Sequence, residues 1–368
     1  MTQPSAGHVD VLFAPVRAAF DELLASGAES GAALAVTHQG RLVIDLVGGR
    51  RGGPADATWT ADTLVNTYSV AKPVAALCVL LLHDRGLLGL DDPIARHWPE
   101  FAVAGKGKAT VRHALAHTAG LPIFPVPRTA ADLADWALLA GDLAAAAPLW
   151  EPGTAAAEHA LTYGHLAGEL VRRIDGRPIG RFLAEEIAAP WRLDLGFGLS
   201  PADQARAADL EYADPDWPTR ILGEPGSLRA RGLGNPAGAL QLDVLNSPLW
   251  RRAELPAVNL HATATGLARL YAGLLAGGVL DGVRLFSENT VSELARVQYA
   301  GPDLLLGNPV RWGLGMQIDE DGSWGMGGIG GNLAYADPAR GYTLAYVTRR
   351  LGGFDRVDAL TEALHSCL

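Results

Sequence analysis

"NTYSVAKPVAALCVLLLHDRG", residues 66–86, decides how this chain is read. The protein has only three lysines, Lys72, Lys106 and Lys108, against twenty-seven arginines. One of the three sits three residues after Ser69, on the opening turn of a strongly apolar helix that runs from about Val70 to Arg85 and stops at Gly86. A lysine there is costly unless a partner neutralises it or it has chemistry to perform. Positions i and i+3 share a helix face, so the Lys72 amine reaches the Ser69 hydroxyl. An amine that shares a proton with that hydroxyl makes it a nucleophile, and helix-terminal N–H groups favour the negative charge that develops on attack. By itself a serine three residues before a lysine has little specificity, and a capping serine followed by a solvated lysine is the bland reading. The flanking "VAALCVLLL" speaks against it, because this helix is built to be buried.

Outward from this helix, elements of both kinds appear. Val9 to Ala25 reads as an amphipathic helix, and "GAALAVTHQGRLVIDLVGG" as a β-hairpin turning at His38-Gln39-Gly40. Helical stretches follow at Thr110–Ala116, Thr129–Ala140, Tyr163–Ile174 and Ile179–Ile187. Residues 200–258, rich in Pro, Asp and Gly, read as loops with short helices. Thr263–Ala276 is a helix again. "RWGLGMQID", "NLAYADP" and "YTLAYVTRR" are strands, and Asp355–Ser366 closes the chain as a helix. Strands at both ends with helices between predict an α/β (α+β) arrangement. Residues 1–75 and 259–368 would form the sheet domain and 76–258 a mostly helical insertion, with the active site between them.

Bulk properties exclude several functions. A net charge of −10 opposes nonspecific binding to nucleic acid or anionic membrane. Two distant cysteines, Cys78 and Cys367, offer neither a disulfide framework nor a zinc site. The first residues, "MTQPSAGHVDVLF", lack the basic start and apolar core of a secretory signal, and the longest apolar run, Pro73–Leu82, is too short to span a bilayer. The expectation is a cytoplasmic enzyme without cofactor or metal, acting on a small molecule. Its oligomeric state stays open.

Two further segments carry chemistry. "EPGTAAAEHALTYGHLAGELVRR" is a Pro-Gly turn leading through Glu158 and His159 into a helix that carries Tyr163. "WGMGGIGGNLAYADP", 324–338, places glycines around Ile329 where a backbone must approach a ligand closely, as an oxyanion donor does; a flexible turn between strands is the alternative.

Taken together, Ser69-x-x-Lys72, "LGLDDPIARHWPEF", "TVRHALAHTAGLP", "WEPGT" and the late glycine strand resemble the serine β-lactamase-fold esterases. These are class C β-lactamase-like, family VIII carboxylesterases, related to penicillin-binding proteins and to acyltransferases of the same fold. The resemblance spans roughly residues 30–350. It implies a β-lactamase/transpeptidase-like fold, an antiparallel sheet flanked by helices with an inserted helical domain. It also implies Ser69 as the acylated nucleophile, Lys72 as its general base, and an oxyanion hole from the N–H groups of Ser69 and Ile329, with Gly328 beside it.

The chain departs from that pattern twice. Four residues after the threonine of "PGT" the family has tyrosine and this chain has Glu158. Where the family carries lysine or histidine before the glycine pair, this chain has Met326, and no lysine follows Lys108. Tyrosine and glutamic acid differ by almost six pKa units, roughly 8 kcal/mol of proton affinity. The tyrosine's role therefore does not transfer unchanged. Either Glu158 is itself the base or the site has drifted from ordinary hydrolysis. Tyr163 is a candidate substitute hydroxyl, and His159 is either a second polar site group or a histidine on a surface loop. Trp324 and Trp312 line an apolar acyl pocket or fill the core. His113 and His117 have helical metal-site spacing but no companion ligand, and are expected to pack structurally. Arg349 and Arg350 are expected at a solvated strand edge.

The leading expectation is hydrolysis of esters of small, largely apolar acids through an acyl-enzyme. The alternatives are an acyltransferase or other biosynthetic enzyme on the same scaffold, and a low-activity binding protein.

Overall fold

A computed structural model describes residues 4–54 and 56–368. Met1–Gln3, the start of the stretch searched for a signal, lie outside the described residues, as does Ala55. At the centre is a nine-stranded antiparallel sheet. Its strands are β1 (Ala6–Val9), β2 (Gly31–His38), β3 (Arg41–Gly49), β4 (Tyr299–Pro302), β5 (Pro309–Trp312), β6 (Gln317–Ile318), β7 (Trp324–Gly328), β8 (Asn332–Asp337) and β9 (Tyr342–Thr348). They lie in the order β1-β3-β2-β9-β8-β7-β6-β5-β4, so both ends of the chain build one sheet. The β2–β3 turn places Gln39 and Gly40 at φ 51° and 76°, the left-handed pair that a two-residue hairpin requires.

Helices α1 (Ala14–Ala25), α2 (Ala71–Asp84), α3 (Thr162–Asp175), α4 (Ala264–Leu275) and α5 (Asp355–His365) frame the sheet and the site. Alternation along the strands separates two cores. Leu34, Val36, Leu344 and Tyr346 point toward Phe20 and Leu24 of α1 and Leu360 of α5. The opposite face is lined with Ala33, Ala35, Ala334 and Ala345, small enough for α4 to lie close. A phenylalanine at Ala345 would overpack that layer, at about 1–3 kcal/mol. Helix α2 is buried along its length from Ala71 to Leu82, as expected of a helix apolar on every side. Among the described residues no helix is long and apolar enough to cross a membrane.

Several sequence expectations need correction here. "RWGLGMQID" is not one strand: β5 ends at Trp312 and β6 starts at Gln317, and the two pair antiparallel. Thr129–Ala140 is not one helix: a 3-10 segment, Ala130–Ala134, breaks at Asp135 before a helix over Trp136–Ala145. Val9–Ala25 is not one helix. Residues 6–9 pair with β3 as an edge strand, a single 3-10 turn follows, and α1 starts only at Ala14, with Pro15 in its first turn. Strand pairing outcompetes helix extension because β3 has a free edge to satisfy, which leaves Val11 and Leu12 exposed. Nor do Arg349 and Arg350 end at a solvated edge. The chain continues into a short strand, Arg350–Leu351, that pairs in parallel with Glu211–Tyr212. Arg349 is buried there, its Nη1 2.7 Å from Glu211 and its Nε donating to the Asp209 carbonyl at 2.7 Å.

Candidate active site

Ser69 is held by a strained turn. Val65–Asn66 pair with His261–Ala262, and Thr67 donates its N–H to the Leu260 carbonyl at 2.9 Å. Tyr68 then takes φ 50°, a left-handed conformation unfavourable for a bulky residue. Its buried ring sits beside Trp217, and its hydroxyl bonds the Ala239 carbonyl at 3.2 Å, which holds it in place. Tyr68–Val70 form a 3-10 turn that leads into α2, so Ser69 stands where the first helical N–H groups have no intrahelical partner.

Three side chains converge at this point. Lys72 Nζ lies 2.8 Å from Ser69 Oγ, 2.8 Å from Glu158 Oε1 and 3.3 Å from the Ala257 carbonyl. An ammonium has three N–H groups, and each has an acceptor here. Ser69 Oγ in turn donates to Glu158 Oε1 at 3.2 Å. Lys72 is fully buried and Glu158 nearly so. Burial lowers the Lys72 pKa from its ordinary value, while the charge and hydrogen bond of Glu158 work against that shift. The cluster thus places a carboxylate oxygen within direct reach of a serine proton, with a lysine bonded to both oxygens.

The loop before α3 presents Glu158, and histidines hold it there. His159 is neither a surface residue nor a substrate group: it is wholly buried. Its Nε2 accepts from the Leu121 N–H at 3.2 Å, so Nδ1 carries the proton and donates to the Ala157 carbonyl at 2.8 Å. Burial pushes its pKa down to about 4. The His159 N–H bonds His117 Nδ1 at 3.0 Å, and burial holds His117 neutral as well. His113 belongs to the N-terminal cap of the Val111–Leu115 helix. Among the described residues no three His, Cys, Asp or Glu side chains are grouped to hold a metal.

Tyr163 does not substitute for the missing tyrosine. Its hydroxyl turns to the Leu115 carbonyl at 3.4 Å and lies against Gly315, where an added Cβ would be 2.5 Å from it. Burial raises its pKa well above the usual phenol value.

Strand β7 brings the glycine segment to Ser69. A Cβ at Gly328 would fall 2.1 Å from the Thr67 carbonyl oxygen, so only glycine lets this strand meet the serine's turn. Ile329 follows in the turn to β8, and among the described residues its N–H is bonded to no acceptor. Met326 is buried with Ala156, Val310 and Trp312, an apolar cluster where the family's cation would stand. Trp324 is a core residue: its ring stacks on Tyr271 of α4 at 5.7 Å. Trp312 is also buried and donates to Asp303 Oδ2 at 3.0 Å. Neither tryptophan forms the apolar surface beside the site. That surface comes from partly buried Trp150, Ile221, Leu222, Leu228, Leu306 and Ile329, packed around Ala157, Ala160, Leu233 and Leu305. The 217–234 segment gave no periodic signal in the sequence, because its helices are short and irregular. The Ala257 carbonyl had no side-chain signature at all.

A serine at the start of a helix, a lysine one turn on, a third polar group from a facing loop and a glycine-rich strand edge meet on a β-lactamase/transpeptidase-like fold. The chain belongs to the beta-lactamase family, whose match covers residues 16–366. It is 34% identical over 359 residues to the esterase/beta-lactamase LipL of Mycobacterium tuberculosis, covering 94% of this chain and 83% of that protein. A crystal structure of a family VIII carboxylesterase superposes with a TM-score of 0.91 at 32% identity, over 99% of this chain and 100% of the other. A penicillin-binding-protein homologue from Caulobacter crescentus does so at 0.89 and 36%, over the full length of both chains.

Proposed function

We propose that the protein is a serine carboxylic ester hydrolase in which Glu158 moves the proton. The observation that carries this reading is the Ser69 hydroxyl shared between Lys72 Nζ at 2.8 Å and Glu158 Oε1 at 3.2 Å. Ser69 Oγ attacks the ester carbonyl carbon as its proton passes to Glu158. Lys72 keeps its three hydrogen bonds and lowers the energy of the charge forming on Oγ. The carbonyl oxygen becomes an oxyanion between the N–H groups of Ser69 and Ile329. Collapse breaks the bond to the alcohol oxygen, which leaves with the proton returned by Glu158. A water then gives its proton to Glu158, adds to the acyl carbon and releases the acid, and Ser69 regains its proton. This assignment moves the base role from Lys72, where the family resemblance puts it, to Glu158.

The substrate class follows from the walls. Partly buried Ile221, Leu222, Leu228 and Leu306 pack on the cluster of Ala157 and Ala160 that flanks Glu158, and Met326 replaces the cation that would hold a substrate carboxylate. Uncharged esters of small apolar acids fit; substrates with an essential carboxylate do not. Turnover of p-nitrophenyl acetate and butyrate by the wild type, absent in Ser69→Ala, is the expected result. Equal turnover by the two proteins would refute the reading.

A further inference from the structure

The candidate oxyanion donor, Ile329, sits in a turn of sequence Gly-Ile-Gly-Gly (328–331), with Gly330 and Gly331 both at φ 104°. Such a turn has little rigidity of its own. Oxyanion stabilisation, however, depends on a donor already fixed in direction. Something outside the turn must supply that order.

Three bonds act on its carbonyls. The Gly331 N–H donates to the Gly328 carbonyl at 3.0 Å, and a trans peptide points the Ile329 N–H opposite to that carbonyl. The Gly330 carbonyl accepts from the Gly352 N–H at 3.0 Å and from Arg356 Nη2 at 3.0 Å. Arg356, on the first turn of α5, is almost fully buried, and its Nη2 also donates to the Arg350 carbonyl at 2.6 Å. Its Nη1 reaches Glu29 Oε2 at 2.8 Å. Glu29 is buried too. Its Oε2 accepts from Tyr346 and Thr348, and its Oε1 from the N–H groups of Ser30 and Gly31.

We infer that Arg356, oriented by Glu29, is a positioning residue for the oxyanion hole: it locks the Gly330 carbonyl and thereby aims the Ile329 N–H at the reacting carbonyl. The inference rests on the ester-hydrolase reading above. A guanidinium suits the task because its planar fork binds a carboxylate on one nitrogen and two carbonyls on another. A lysine ammonium cannot span that arrangement.

The test compares wild type with Arg356→Lys, using a p-nitrophenyl ester and its thionoester, whose sulfur gains little from an oxyanion hole. The expected result is a kcat for the oxygen ester at least tenfold lower, with KM within about twofold. The oxygen-to-sulfur rate ratio should collapse by a similar factor. A merely structural ion pair would lower the yield of folded enzyme and leave that ratio unchanged; an unchanged ratio in folded Arg356→Lys overturns the inference. Should that variant not fold, Tyr346→Phe, which removes one hydroxyl holding Glu29, is expected to lower the ratio two- to fivefold. An unchanged ratio there overturns it equally. Wild type that turns over neither ester refutes the hydrolase reading, and the inference falls with it. Active wild type with an unaltered variant ratio refutes the inference alone.

Discussion

Glu158 Oε1 stands 2.8 Å from Lys72 Nζ, inside an enclosure where the lysine side chain is wholly buried and the glutamate is one-tenth exposed. A pair this dry holds together because each charge neutralises the other, and the Ser69 hydroxyl lies within hydrogen-bond reach of both.

Replacing Glu158 by glutamine keeps its shape and removes its basicity. General-base catalysis contributes typically 10²–10⁴-fold, so kcat for p-nitrophenyl butyrate is expected to fall by at least about 10². Glu158→Tyr restores the family's residue but not its surroundings, and the same direction of change is expected. A strong rise in rate would mean that the natural site is attenuated.

Removing one member of the buried pair leaves the other uncompensated. Lys72→Met is expected to abolish turnover and to destabilise the fold by about 3–5 kcal/mol in urea titrations. The double variant Lys72→Met/Glu158→Leu removes both charges and is expected to regain most of that stability while remaining inactive.

Gly328 tests the approach of β7 to the nucleophile's turn. In Gly328→Ala the new methyl meets the Thr67 carbonyl oxygen at 2.1 Å, so one of the two must move. A loss of about 1–3 kcal/mol, read as a lower thermal midpoint, is expected together with a fall in kcat.

Buried histidines make the fold sensitive to acid. His159 is pushed down to about 4 and His165 and His261 to about 3, all by burial. The unfolded chain binds these protons near pH 6.5 and the native state does not. Their contribution is thus complete above about 6.5 and is lost as pH falls toward 4, up to about 3 kcal/mol for His159 alone. Urea midpoints at pH 7, 6 and 5 are expected to drop in that order, with a shallower slope in His159→Gln.

Much of this is legible in the sequence. The hairpin at Gln39-Gly40, the buried helix after Ser69 and the strands in "NLAYADP" and "YTLAYVTRR" announce themselves by turn chemistry and periodicity. The helix face that joins Ser69 to Lys72 is a property of spacing alone. What stayed hidden depends on long-range placement. Tyr163 and Glu158 are five residues apart, yet only Glu158 faces the serine, because the loop before α3 turns between them. Trp324 fills the core and lines no pocket because Tyr271, distant in sequence, stacks on its ring. A buried lysine is not by itself a mark of chemistry, either. Lys106 is as buried as Lys72, and its amine is spent on the backbone carbonyls of Val103, Ala144 and Ala146.

The central claim is that Ser69 becomes covalently acylated with Glu158 receiving its proton. The most direct measurement is the rate and site of fluorophosphonate labelling, followed by intact mass and peptide mapping. The account predicts a single adduct on Ser69 in the wild type, formed at least about 10²-fold more slowly in Glu158→Gln. An unmodified Ser69, or equal labelling rates in the two proteins, would contradict it.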